Sequence, residues 1–239
     1  MGLSEPPVTC RFMPSIVPSI LAGDFARLGK SLDFVQGLGI MVIHIDVMDG
    51  HFRPQISVGQ PVVKSIRKST RMKLDVHLKI ERPERYVEDF AKAGADSIAF
   101  HPESTQNTSL AMSTAKRLGA RMGVAVNTKM PLETCFDLLE DIGYVIVETD
   151  GQGTMPRSLK RIASLANERA ARGLNFSIAA EGEFGTDEAN DLLSAGADIL
   201  VVGSAIFDKA ERGEAMRSLA RNLSQHSPGA GPEIEYHVQ

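Results

Sequence analysis

Short apolar runs rich in Val and Ile alternate along the chain with longer stretches in which apolar residues recur every three or four positions. The first pattern predicts strands and the second predicts helices with one buried face. Eight runs read as strands: "SIVPSIL" (Ser15–Leu21), "VIHIDVM" (Val42–Met48), "KLDVHLKI" (Lys73–Ile80), "SIAFH" (Ser97–His101), "RMGVAVN" (Arg121–Asn127), "YVIVET" (Tyr144–Thr149), "FSIAAE" (Phe176–Glu181) and "ILVVGSA" (Ile199–Ala205). Between them, "DFARLGKSLDFVQGLG" sets Phe25, Leu28, Leu32 and Val35 at helical spacing, which predicts that all four face a core. "PERYVEDFAK" and "DEANDLLS" each run into Ala-Gly-Ala-Asp, where Gly94 and Gly196 serve as helix stops. A long helix over "MPRSLKRIASLANERAARG" ends at Gly173, and "RGEAMRSLARNL" supplies the last.

Strand–helix alternation implies parallel pairing with right-handed crossovers. Eight such units suit a single-domain α/β fold, the closed (β/α)8 TIM barrel. A doubly wound open sheet would carry a Gly-rich turn after its first strand, and "ILAGDFARLG" matches that poorly. The expected organisation is an N-terminal extension over 1–13, a barrel over 14–223, and a Pro/Gly-rich, mobile tail over 224–239.

Composition narrows the partners. Net charge is −4 with no basic block, which argues against nucleic acid or an anionic membrane. No run approaches the roughly 18 apolar residues of a membrane span, and the N-terminal stretch lacks the apolar core of a signal peptide. Two cysteines, Cys10 and Cys135, make no disulfide framework, and a reducing, cytoplasmic setting is expected.

Barrel active sites lie at the C-terminal ends of the strands. There this chain puts His44 and Asp46, Asp75 and His77, His101, Asn127, Glu181, and Gly203–Ser204. His44, Asp46, His77 and Glu181 would converge on one mouth. Two imidazoles and two carboxylates suit one divalent transition metal such as Zn, Fe, Mn or Co. His101 reads as part of a strand-ending turn. Gly203 and Ser204 offer backbone N–H groups to an anion beside the last strand.

"PSILAGDFARLG", "HIDVMDGHFRPQISVGQPVVKSIRK", "LDVHLKIERPERYVEDFAKAGAD" and "AGADILVVGSAIF" together resemble the ribulose-phosphate 3-epimerase family, from about Pro18 to Phe207. The resemblance implies a (β/α)8 barrel with one divalent metal, usually assembled as a homo-oligomer. It also implies interconversion of D-ribulose 5-phosphate and D-xylulose 5-phosphate by inversion at C3. It makes Asp46 a catalytic base and metal ligand, Glu181 the second catalytic acid/base and metal ligand, and His44 and His77 metal ligands. It assigns substrate contacts to Ser19, His77, Met48, Gly182, Gly203 and Ser204.

Three departures accompany the likeness. The family's Asp-Gly-Gly run at the end of strand 7 is "AEGEF" here, so Glu181 adds a methylene and Glu183 adds a charge. The longer loop after strand 6 is reduced to "ETDGQGTMP", in which Gly151 and Gly153 could form a small anion nest opposed by Asp150. Methionines that line the family's pocket are kept at Met48 but replaced by Lys79 on strand 3 and Glu148 on strand 6, which are expected to pair across the mouth. Three readings stay open: the ribulose 5-phosphate epimerase, a relative acting on another ketose with or without phosphate, and a metal-binding barrel without catalysis.

Overall fold

The computed structural model describes residues 13–149, 152–207 and 211–225. Eight strands, β1 (Ser15–Pro18), β2 (Val42–Met48), β3 (Lys73–Lys79), β4 (Ser97–Phe100), β5 (Arg121–Val126), β6 (Tyr144–Thr149), β7 (Ser177–Gly182) and β8 (Ile199–Val202), form one parallel sheet in the order β1-β8-β7-β6-β5-β4-β3-β2. A parallel bridge between Ser19 and His44 joins β1 to β2 and brings the ends of that order together. This is the (β/α)8 barrel.

Helices α1 (Leu28–Gly37), α2 (Gln60–Ser69), α3 (Val87–Ala93), α4 (Thr108–Arg117), α5 (Met155–Arg172), α6 (Thr186–Ser194), α7 (Ser204–Phe207) and α8 (Glu211–Gln225) clothe the strands, and a 3-10 stretch (Leu132–Leu138) stands between β5 and β6. Helices α2 and α4 were not among those read from periodicity. The expected extension 1–13 lies outside the described residues except for Met13, and so does the tail beyond Gln225.

The two faces of each strand meet different surroundings, as period-2 alternation requires. Ile43, Ile45 and Val47 belong to the large core between barrel and helices. Val17, Val42, Ala99, Ala125, Tyr144, Ile146, Ala179 and Val201 form a second cluster that fills the barrel's inside. His44 and Asp46 share the inward parity of Val42, so they stand above that plug. Small residues make space for its one large ring: a Cβ on Gly123 would sit 2.5 Å from the Tyr144 ring.

Several boundaries differ from the sequence reading. β1 stops at Pro18 and β8 at Val202 because the chain turns there into short helices, Ile20–Ala22 and α7. Phe25 is 46% exposed, not core-facing, because residues Phe25–Arg27 form a 3-10 turn and the α-helical phase starts only at Leu28.

The two Ala-Gly-Ala-Asp segments do more than stop helices. Asp96 and Asp198 each accept a backbone N–H from the preceding strand, Leu74 at 2.9 Å and Ile178 at 2.7 Å. Each also takes an arginine, Arg67 at 3.0 Å and Arg169 at 2.6 Å. Both clamps secure the N-terminal ends of strands, away from the mouth.

Candidate active site

At the C-terminal end of β2, β3 and β7, His44, Asp46, His77 and Glu181 are all buried, and one donor atom from each lies within 4.8 Å of the others. The separations are 3.3 Å from His44 Nε2 to Asp46 Oδ1 and 3.6 Å to Glu181 Oε2. His77 Nδ1 stands 3.7 Å from Asp46 Oδ1 and 2.9 Å from Glu181 Oε2. Donors of a four-coordinate ion held at about 2.1 Å stand roughly 3.4 Å apart. The donor set therefore fits a divalent cation in both chemistry and spacing.

Each ligand-type side chain is held from behind. An ionised carboxylate only accepts hydrogen bonds. His44 Nδ1 therefore donates to Asp75 Oδ2 at 2.7 Å, and Nε2 is left facing the cluster, protonated until a bound ion takes the proton's place. Among the described residues Nε2 is buried without a hydrogen-bond partner, as a metal-directed nitrogen would be. Asp75 is fixed in turn by Ser97 Oγ at 2.7 Å and by Tyr144 Oη, rising from the barrel plug, at 2.5 Å. Ser19 Oγ donates to Asp46 Oδ2 at 2.7 Å. Ser57 Oγ donates to the Asp46 carbonyl at 2.7 Å and accepts from Met48 N at 2.9 Å, which ties the β2 end to its loop.

His77 Nε2 meets His101 Nε2 at 3.2 Å, and the two rings stack. His101 does end its strand in a turn, its carbonyl accepting from Ser104 N and Oγ, but its ring also belongs to the site. His77 Nδ1 currently donates to Glu181. An ion bound at Nδ1 would require the His77 proton on Nε2, the nitrogen that faces His101.

The electrostatics favour positive charge here. Burial opposes ionisation of His44, yet Asp46, Asp75 and Glu181 outweigh it and raise its pKa well above the usual value. Burial would raise Asp46, but His44, Lys79 and His77 hold its carboxyl well below the usual range. Glu181 is lowered in the same way, burial and Asp46 being overcome by Lys79, His77 and His44. His77 is pushed down by burial, against the pull of Glu181.

Lys79 and Glu148, expected to pair, lie 3.2 Å apart. The pairing is wider than a single contact. Lys79 Nζ is 2.9 Å from Asp46 Oδ1 and also contacts Glu181 Oε1, while Glu148 accepts from the Arg53 guanidinium. The Lys79 side chain is only 12% exposed, so it does not reach out to solvent. Arg53, Asp75, Tyr144 and Ser97 received no role from sequence reasoning. The inward parity of Asp75 with His77 was the available signal for one of them.

A cavity of about 280 Å³ opens beside the cluster, lined by Ser19, Asp46, Glu181, Gly182, Glu183 and Gly203 among others. The candidate phosphate pair lies on this wall, but Glu183 is seated on it: Ser204 Oγ donates to the Glu183 carboxylate, and Ser204 N stands 3.4 Å from it. Met48 is buried at the β2 end, in register with Lys79. Asp150 and Gly151, the other candidate anion loop, lie outside the described residues, and Gly153 is exposed.

Barrel, mouth and the sequence relatives together make this an enzyme of the isomerase class, an epimerase. The chain belongs to the ribulose-phosphate 3 epimerase family, whose sequence model matches residues 15–207. It is 35% identical to ribulose-phosphate 3-epimerase from Bacillus subtilis (strain 168), over 87% of this chain and 98% of that one. It is 37% identical to the Synechocystis enzyme of the same name, over 89% and 95% of the two chains. The cytoplasmic isoform from Oryza sativa subsp. japonica is 36% identical over 87% and 93%. Among solved structures, 3-hexulose-6-phosphate synthase from Salmonella typhimurium superposes with a TM-score of 0.64 at 18% identity, over 89% of this chain and 99% of that one. A tryptophan synthase α-subunit from Pyrococcus furiosus gives 0.58 at 17%, over 92% and 100%. At those identities the likeness is one of fold.

Proposed function

We propose that the chain is a metal-dependent ketose-phosphate 3-epimerase that interconverts D-ribulose 5-phosphate and D-xylulose 5-phosphate. The observation that carries this is the convergence of two carboxylates and two imidazoles, from β2, β3 and β7, in one buried cluster beside an open cavity. The hydrogen at C3 is acidified by the neighbouring ketone. A divalent cation held by His44, Asp46, His77 and Glu181 supplies Lewis-acid polarisation of the substrate oxygens. Inversion requires an acid/base on each side of the planar carbon. For one epimer Asp46 takes the C3 proton while Glu181, in its protonated form, delivers a proton to the opposite face; for the other epimer the two exchange roles. Ser19 orients the Asp46 carboxylate, and Asp75 holds His44 in the tautomer that offers Nε2. Met48, Gly182, Gly203 and Ser204 contact the sugar and its phosphate, which requires Glu183 to leave the Ser204 hydroxyl.

That requirement favours a second reading. A carboxylate already seated on Gly203–Ser204 suits a ketose with no phosphate at that end. Exchange of the C3 hydrogen with deuterated solvent tests both. Exchange with ribulose 5-phosphate supports the first reading, and exchange only with an unphosphorylated ketose supports the second. Asp46→Asn is expected to abolish exchange, and unchanged turnover would remove Asp46 as the base.

A further inference from the structure

Lys79 does not merely pair with Glu148. Its ammonium lies among three carboxylates, at 2.9 Å from Asp46 Oδ1, at 3.2 Å from Glu148 Oε1 and in contact with Glu181 Oε1. Two of the three belong to the cluster that fits a metal ion. On Asp46 the very oxygen turned toward His44 and His77 is the one that Lys79 holds. On Glu181 the two oxygens are divided, Oε2 toward the imidazoles and Oε1 toward Lys79.

Charge counting shows the consequence. Asp75 and the His44 ring it holds offset each other, and Asp46, Glu148 and Glu181 carry three further negative charges. Lys79 and Arg53 supply two positive ones, and Arg53 reaches only Glu148 among the three. Little uncompensated charge is left for a divalent ion. Without Lys79 the deficit would match that ion's charge. Lys79 enters from β3, two residues after His77 and on the same inward face, so the strand that offers an imidazole to the site also delivers the cation.

We propose that Lys79 is a tethered cation built into the metal site. It neutralises Asp46, Glu148 and Glu181 when no metal is bound, and it lowers the affinity of the His44–Asp46–His77–Glu181 set for a divalent ion. The inference rests on reading that cluster as a metal site, and it makes the lysine a positioning and charge-setting residue of the site. Metal loading is then a contest between a soluble cation and a covalently tethered one. The carboxylates of the mouth stay neutralised at metal concentrations too low to fill the site.

The experiment is titration of Zn²⁺ into the chelator-stripped full chain, for wild type, Lys79→Met, the neutral and hydrogen-bonding Lys79→Gln, and Arg53→Met as a control. Either Lys79 variant is expected to bind Zn²⁺ at least about tenfold more tightly than wild type, because a positive charge within a few ångströms has been removed. Arg53→Met is expected to stay within about threefold, since Arg53 touches neither Asp46 nor Glu181. In chelator the Lys79 variants should melt below wild type, and saturating Zn²⁺ should raise their melting temperature by more than it raises that of wild type. That sign separates competition from simple scaffolding. Equal or weaker Zn²⁺ affinity in Lys79→Gln would overturn the proposal. Binding of Zn²⁺ by none of the proteins would remove the metal reading of the cluster and this inference with it.

Discussion

Asp75 shows how much of the cluster depends on a residue that stands behind it. Its Oδ2 accepts from His44 Nδ1, and its Oδ1 accepts from both Ser97 and Tyr144. Burial pushes its pKa up, but these partners, His44 foremost, hold it below the usual range, and it stays a pure acceptor. The Tyr144 hydroxyl is correspondingly pushed well above its ordinary value, by burial first and by Asp75 next. Asp75→Asn puts an NH2 group where His44 needs an acceptor and lets the imidazole take the other tautomer. Zn²⁺ affinity is expected to fall by about ten- to a hundredfold, the usual cost of losing such a supporting partner. Calorimetric titration checks this, and unchanged affinity would mean that His44 is oriented by packing alone. The His44–Asp46 pair and His77 were legible in the sequence because strand parity alone turns them to one side. The roles of Asp75 and Tyr144 were not, because they depend on which strands stand opposite across the barrel and on how far a tyrosine ring reaches over Gly123.

Among the elements, strands were read more accurately than helices. β2 and β6 match the sequence reading to the residue, since both are dense in β-branched residues and each is followed in the sequence by Asp-Gly, a turn signal. Helices α2 and α4 escaped because polar residues dilute their buried faces to a few positions, Val63 and Ile66 in one, Ala111, Thr114 and Ala115 in the other. The glycine punctuation was readable for a stereochemical reason. Gly94 ends α3 at a φ of 109°, a conformation L side chains rarely adopt, and a Cβ there would come 2.5 Å from Arg67 Cγ. Gly94→Ala is expected to cost about 1–3 kcal/mol, by displacing Arg67 from Asp96 as well as by backbone strain. Urea denaturation measures it, and a loss below about 0.5 kcal/mol would show that the α3–β4 turn adapts freely. The clamps made by Asp96 and Asp198 were invisible locally, since their partners Arg67 and Arg169 lie 29 residues away in each case.

At the scale of the whole molecule, the metal-type cluster draws on β2, β3 and β7, which lie on both sides of the β1–β2 closure. A bound ion would therefore tie together strands that local pairing does not. Stripping the metal-loaded protein with a chelator should lower its melting temperature, by an amount equivalent to about 2.7 kcal/mol if the ion had been present at a hundred times its dissociation constant. Scanning calorimetry with and without chelator checks this, and an unchanged transition would disconnect the cluster from global stability. The sheet register adds a statement about history. Glu148 and Glu181 are direct neighbours across β6 and β7, so either would be costly beside the other without a nearby cation. Lys79, by contrast, already has Asp46 and Glu181 as partners before Glu148 is considered. A lineage that began with an apolar wall could acquire Lys79 first and Glu148 second through folded intermediates. In the opposite order it would pass through a chain with two adjacent buried carboxylates and only Arg53, on Glu148, to offset them. The register of two strands thus makes loss of Lys79 more costly while Glu148 remains, with Arg53 left to offset one of the two carboxylates.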